Sequence, residues 1–217
     1  MPEVALFPIP GCVAFPGTNF PLHVFEPRYR AMVTHCLNTG VLMGVCHTQK
    51  VIREAKNDQS REEALNSNQA TYKPFKVLSA GTCELVKTFD DGRMAIVVHL
   101  EKRFKLIEEV QALPFSVYRC EAFLDDAVTD EEMLEADLLR DKVIARLIAL
   151  THDIPGLKKE LSKKSWRNKD ANAFSFELFG LLRMPPDLLQ SILEMRSPLL
   201  RLDALLRIIN SAGINLS

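Results

Sequence analysis

Six prolines and two glycines fall within the first 30 residues, and they divide the apolar residues there into runs of one to four. The order is Leu6-Phe7-Pro8-Ile9-Pro10-Gly11, then Phe15-Pro16-Gly17, then Pro21-Leu22-His23-Val24-Phe25-Glu26-Pro27-Arg28-Tyr29. Proline fixes φ, withdraws a backbone donor and pushes its predecessor toward extended conformations. Such a stretch can make only short strands with abrupt corners, and a helix can begin only where Pro27 serves as its first residue.

From Pro27 the pattern changes. Tyr29, Met32, Val33, Cys36 and Leu37 recur at helical spacing and Gly40 offers a left-handed stop, which predicts one helix over Glu26 to Gly40. Val41 to His47 resumes as an apolar strand, and the polar Arg53 to Ala70 stretch reads as a long loop or hairpin tip. Phe75 to Leu100 reads as a hairpin turning at Asp90-Asp91-Gly92, and Lys102 to Ile107 and Pro114 to Phe123 read as further strands. Beyond an acidic connector from Leu124 to Asp130 the periodicity becomes helical. Thr129 and Glu132 have capping-box spacing ahead of the stripe Ala136, Leu139, Val143, Leu147 and Leu150. Further helices are predicted from Ala171 to Leu182, from Pro186, and from Pro198 behind the cap Ser197. The chain is thus an α+β protein with a β-rich domain over 1–124 and a helical domain over 125–217.

The charge balance excludes several classes. A formal net charge of -1 provides no global field for nucleic acid, and no apolar run approaches the roughly 20 residues of a membrane span. No basic residue precedes Arg28, so no secretory leader is expected and a cytoplasmic location is. Five cysteines without a CxxC pair suit neither a disulfide framework nor a structural zinc site, and neither His35-Cys36 nor Cys46-His47 has metal-ligand spacing. None of the nine glycines is followed by lysine, so there is no phosphate loop, and no Gly-x-Ser-x-Gly elbow occurs. No cofactor, no metal and no enzymatic activity are expected.

The opening run, from Leu6-Phe7-Pro8 through Pro21-Leu22-His23-Val24-Phe25-Glu26-Pro27-Arg28-Tyr29, closely resembles that of the Lon protease N-terminal domain family. The hairpin followed by Arg103-Phe104, the Leu182 to Pro186 break and the Ser197-Pro198-Leu199-Leu200-Arg201-Leu202 element are similar to later parts of the same family. The resemblance runs from Val4 to about Asn210 and implies a PUA-like β-barrel with one inserted helix, followed by a C-terminal helical bundle. It also implies a docking role toward unfolded or flexible polypeptide or a protein partner. Ser162 to Ser165 place serine beside lysine, yet lack the sequence context of the family's peptidase module.

His23, Glu26, Arg28 and Tyr29, together with Arg103, mix acid, base and aromatic groups where a strand enters a helix, a combination that suits peptide recognition. Capping, ion pairing and core packing would explain the same residues structurally. A second reading is RNA binding. Lys158, Lys159, Lys163, Lys164, Arg167 and Lys169 surround Trp166, a composition able to contact phosphates and stack a base.

Overall fold

The computed structural model describes residues 1–53, 70–150 and 155–211, and the loop expected over Arg53 to Ala70 falls almost wholly outside them. The chain divides into two units, Met1–Phe123 and Leu124–Ser217.

In the first unit the strands are β1 (Glu3–Pro8), β2 (Asn19–Val24), β3 (Leu42–Cys46), β4 (Thr48–Arg53), β5 (Thr71–Pro74), β6 (Val77–Thr88), β7 (Met94–Gln111) and β8 (Val117–Ala122), with helix α1 (Pro27–Thr39) between β2 and β3. α1 starts on Pro27 and ends where Gly40, at φ 74°, donates its N–H to the Cys36 carbonyl, a left-handed step that glycine takes without a Cβ penalty. The main sheet has the order β2-β7-β6-β3-β1-β8, with β1 and β3 parallel and the remaining pairs antiparallel. β7 absorbs the segment from Lys102 to Ile107, which the sequence suggested was a separate strand. Its first half pairs with β2 and β6 and its second half with β8.

The expected PUA-like β-barrel is corrected by this pairing. Among the described strands β2 has a neighbour on one side only, and β4 and β5 pair with each other as a separate two-stranded ribbon. The six strands therefore form a mixed sheet with an edge and do not close into one barrel. β1 is buried on both faces, as strand alternation requires of a central strand. Ala5 joins Met32, Val33, Cys36, Met43, Val45, Ile96 and Val98 in a cluster with α1, whereas Val4 and Leu6 join Leu78, Ala80, Phe104 and Cys120 in another. At the β6–β7 irregularity Gly81 lies so close to the His99 carbonyl that a Cβ there would overlap it.

The second unit is helical: α2 (Asp130–Leu150), α3 (Pro155–Leu161), α4 (Lys164–Arg167), α5 (Ala171–Glu177) continued by a 3-10 turn to Leu181, α6 (Pro186–Leu193) and α7 (Pro198–Ser211). The capping box ahead of α2 is reciprocal. Glu132 N–H donates to Thr129 Oγ1 at 3.2 Å and Thr129 N–H donates to Glu132 Oε2 at 2.7 Å. α2 packs along α7, burying Ala136, Val143, Ile144 and Leu147 on one side and Leu202, Leu205 and Ile209 on the other.

Arg201 is 0% exposed at the centre of this unit. Its Nη1 and Nη2 donate to the two Asp125 carboxylate oxygens at 2.8 and 2.7 Å, a forked geometry that guanidinium alone provides. Further bonds run to the Met195 carbonyl, Asn172 Oδ1 and Ser175 Oγ, and the guanidinium lies 3.8 Å above the Phe176 ring. Arg196 adds an ion pair to Asp126 and a bond to the Leu124 carbonyl. The acidic connector is thereby fastened to the helices it precedes.

Candidate functional site

Glu26 caps α1 with its backbone, in an extended conformation, and makes no side-chain cap bond. Its carboxylate is turned instead to Arg28, with Oε2 2.8 Å from Nη2 and both side chains largely buried. Arg28 also donates from Nη2 to the Ala70 carbonyl at 2.8 Å and from Nη1 to Thr71 Oγ1 at 3.3 Å. The first turn of α1 is thus tied to the start of β5. The guanidinium lies 4.5 Å from the centre of the Tyr29 ring, and that ring stacks on Phe7 at 4.3 Å. Burial pushes the Tyr29 phenol well above its ordinary range and outweighs the opposing field of Arg28, so the hydroxyl stays neutral at physiological pH.

Arg28 and Tyr29 face a cavity of about 290 Å³ within the first unit. β1 contributes Pro8, β4 contributes Ile52 and Arg53, β5 contributes Thr71 and Tyr72, and the turn from Ala112 to Ser116 supplies the remaining wall. That turn is closed by Gln111 Nε2 donating to the Phe115 carbonyl at 2.9 Å. Phe115 is buried beneath it, whereas Leu113 at 82% exposure and Ile52 at 63% stand at the rim. Among the described residues the lining holds two arginines and no carboxylate, imidazole or thiol. Its chemistry is that of a contact surface with cationic edges.

Of the five residues singled out from sequence, Glu26, Arg28 and Tyr29 are brought together here. His23 and Arg103 are not part of this lining. His23 is exposed on β2, 5.3 Å from the Phe89 ring at the β6–β7 turn, and Arg103 is buried on β7 with its guanidinium 5.0 Å from the Phe123 ring. Ile52, Leu113 and Phe115 carried no sequence signal for a site, because their meeting depends on strand pairing across more than 60 residues. Leu113 alone offered a hint, as a large apolar residue before a proline in a turn.

The other sequence candidates have structural surroundings. Trp166 is buried, with its ring edge-on to Phe174 at 5.8 Å, and Lys163 and Lys169 pair with Glu160 and Glu177. No ring face is offered there for a base to stack on. His47 accepts the Gly11 N–H through Nδ1 at 3.1 Å and stacks on Phe75. Burial raises the thiols of Cys36 and Cys120 to about 12 and that of Cys83 to about 11, which leaves them poor nucleophiles. Among the described residues no group of three His, Cys, Asp or Glu side chains could hold a metal ion, and no helix is long and apolar enough to cross a membrane.

Comparison with known proteins decides the family. The model of the ATP-dependent protease La (LON) substrate-binding domain matches residues 3–211. The chain belongs to this family. The matched region is the non-catalytic substrate-binding domain and not the protease domain. Lon protease 1 of Herpetosiphon aurantiacus is 21% identical over 94% of this chain and 24% of its own length, and Lon protease of Anaeromyxobacter dehalogenans is 28% identical over 72% and 17%. The chain therefore spans a quarter or less of these relatives. A Lon N-terminal domain protein from Xanthomonas campestris shares the fold at a TM-score of 0.59 and 21% identity, covering 95% of this chain and 98% of that one. The N-terminal domain of a Mycobacterium avium complex Lon protease does so at 0.67 and 14%, covering 96% and 98%. Within this Lon-type chain the Ser197 to Leu202 element has a clear physical role, since it contains the buried Arg201.

Proposed function

We propose that this chain holds extended, flexible segments of polypeptide without transforming them, at the cavity where α1, the β4–β5 ribbon and the 112–116 turn meet. The observation that carries the reading is the pairing of two exposed aliphatic side chains, Ile52 and Leu113, with an aromatic floor of Tyr29 and Phe115. Such a rim suits one or two apolar side chains of a passing segment, and 290 Å³ lies at the small end of ligand pockets. Binding is therefore weak and tolerant of sequence. Arg28 and Tyr29 contribute directly and Glu26 holds Arg28 in place, whereas His23 and Arg103 contribute to the surrounding sheet. The family's description as a substrate-binding domain supports the same assignment.

The test is fluorescence anisotropy of a labelled, permanently unfolded polypeptide. Leu113→Ser and Ile52→Ser each remove about 1–1.5 kcal/mol of apolar contact, so each weakens binding about fivefold to tenfold. A Lys163→Glu/Lys164→Glu/Arg167→Glu variant binds as wild type. If that variant loses binding while both serine variants keep it, the cavity reading is wrong and the basic stretch is the site.

A further inference from the structure

The β4–β5 ribbon carries a charge arrangement that its own fold does not use. Lys50 lies directly opposite Lys73 in the pairing register, and Arg53 lies opposite Thr71. Like charges placed opposite each other across two strands are destabilising. Lys50, Lys73 and Arg53 are all exposed, and among the described residues no carboxylate pairs with any of them. Glu26 is engaged by Arg28, and among the described residues the cavity lining contains no acid. Arg53 thus lines the cavity beside the apolar rim of Ile52 and Leu113, and the Lys50–Lys73 pair lies two pairing steps further along the same ribbon.

We infer that the occupant of this cavity is an apolar segment flanked by acidic residues, its aliphatic or aromatic side chain entering between Ile52, Leu113 and Tyr29 while neighbouring carboxylates meet Lys50, Arg53 and Lys73. This rests on the cavity being the polypeptide site and adds the charge of what is chosen. The apolar contacts supply affinity and are indifferent to salt, whereas the cations sort segments by charge over roughly a Debye length, about 8–10 Å at physiological ionic strength. Segments flanked by lysine or arginine are rejected by repulsion, not by shape.

Three fluorescein-labelled peptides with one Leu-Phe-Leu core and Asp-Asp, Ser-Ser or Lys-Lys flanks separate the two layers of the argument. At low salt the full chain is expected to bind the Asp-flanked peptide about tenfold more tightly than the Lys-flanked one, with the Ser-flanked peptide between them. The spread collapses in 0.5 M salt. In Lys50→Glu/Lys73→Glu, which alters exposed side chains only, the order inverts, while Leu113→Ser weakens all three peptides alike. Equal affinities, a reversed order in wild type, or an order unmoved by the double variant overturn the charge inference and leave the cavity reading standing, provided Leu113→Ser still weakens binding. If wild type binds none of the peptides, or Leu113→Ser changes nothing, the cavity reading falls and the charge inference falls with it.

Discussion

Replacing Arg201 by Met tests whether the second unit is organised around one buried ion pair. The substitution keeps much of the side chain's volume but removes the forked bond to Asp125 and the donors to Met195, Asn172 and Ser175. Asp125 is itself mostly buried, so its carboxylate loses the forked guanidinium out of reach of bulk water, a loss of about 3–5 kcal/mol. A unit of this size has about 5–14 kcal/mol in total, so the variant gives up about a fifth of its stability at the least. Trp166 is the single tryptophan of the chain and is buried in this unit, so its emission reports this unfolding. With a urea slope of about 1.5 kcal/mol per molar, the midpoint falls by about 2 M or more. Arg201→Lys keeps the charge but not the fork and falls between wild type and Arg201→Met. In Arg201→Met/Asp125→Leu part of the loss returns, because no buried carboxylate is then held without the guanidinium. A shift below about 1 kcal/mol in Arg201→Met at an unchanged slope, or full stability in Arg201→Lys, would refute the reasoning.

Gly81→Ala forces a Cβ into the His99 carbonyl and is expected to destabilise the first unit by about 2–3 kcal/mol, read as a lower denaturation midpoint by circular dichroism. The thiol environments predict alkaline instability. Cys36, Cys83 and Cys120 have folded values raised above an ordinary value of 9.0, so the unfolded chain loses its thiol protons first as pH rises. Their contribution is intact below about pH 9 and is lost progressively toward pH 12, so urea midpoints measured between those values should fall steadily; a flat profile contradicts the assignment. In the native protein at pH 8 a thiol-specific chromogenic reagent should react slowly with partly exposed Cys12 and Cys83, and with Cys36, Cys46 and Cys120 only after unfolding.

Local chemistry was legible wherever a residue's backbone preference decided the outcome. Pro27 and Gly40 mark the limits of α1, and Thr129 and Glu132 make the cap that their spacing predicts. What escaped was non-local. Arg103 and its charged neighbours suggested a boundary, yet β7 continues through them because Arg103 is buried beside Phe123 while Lys102 alternates outward. Counting strands suggested a barrel, but no local pattern reveals that β4 and β5 pair apart or that β2 ends the sheet order. The short helices α3 and α4 were hidden in a lysine-rich stretch in which, among the described residues, Leu161 and Trp166 are the buried large apolar side chains. In the candidate site, Arg28 and Tyr29 were visible in a contiguous motif, whereas Ile52, Leu113 and Phe115 belong to segments that come together only in the folded sheet.

The pairing of β1 with β8, which sets Glu3 against Arg119, has a consequence for synthesis. β1 acquires its second neighbour only after more than 110 further residues have been made, a delay of roughly 6–23 s at about 5–20 residues per second. Throughout that interval Val4, Ala5 and Leu6, all destined for the core, have one unfilled side. The chain thus passes through an exposed stage of its own, and any product terminated before Val117 stays there.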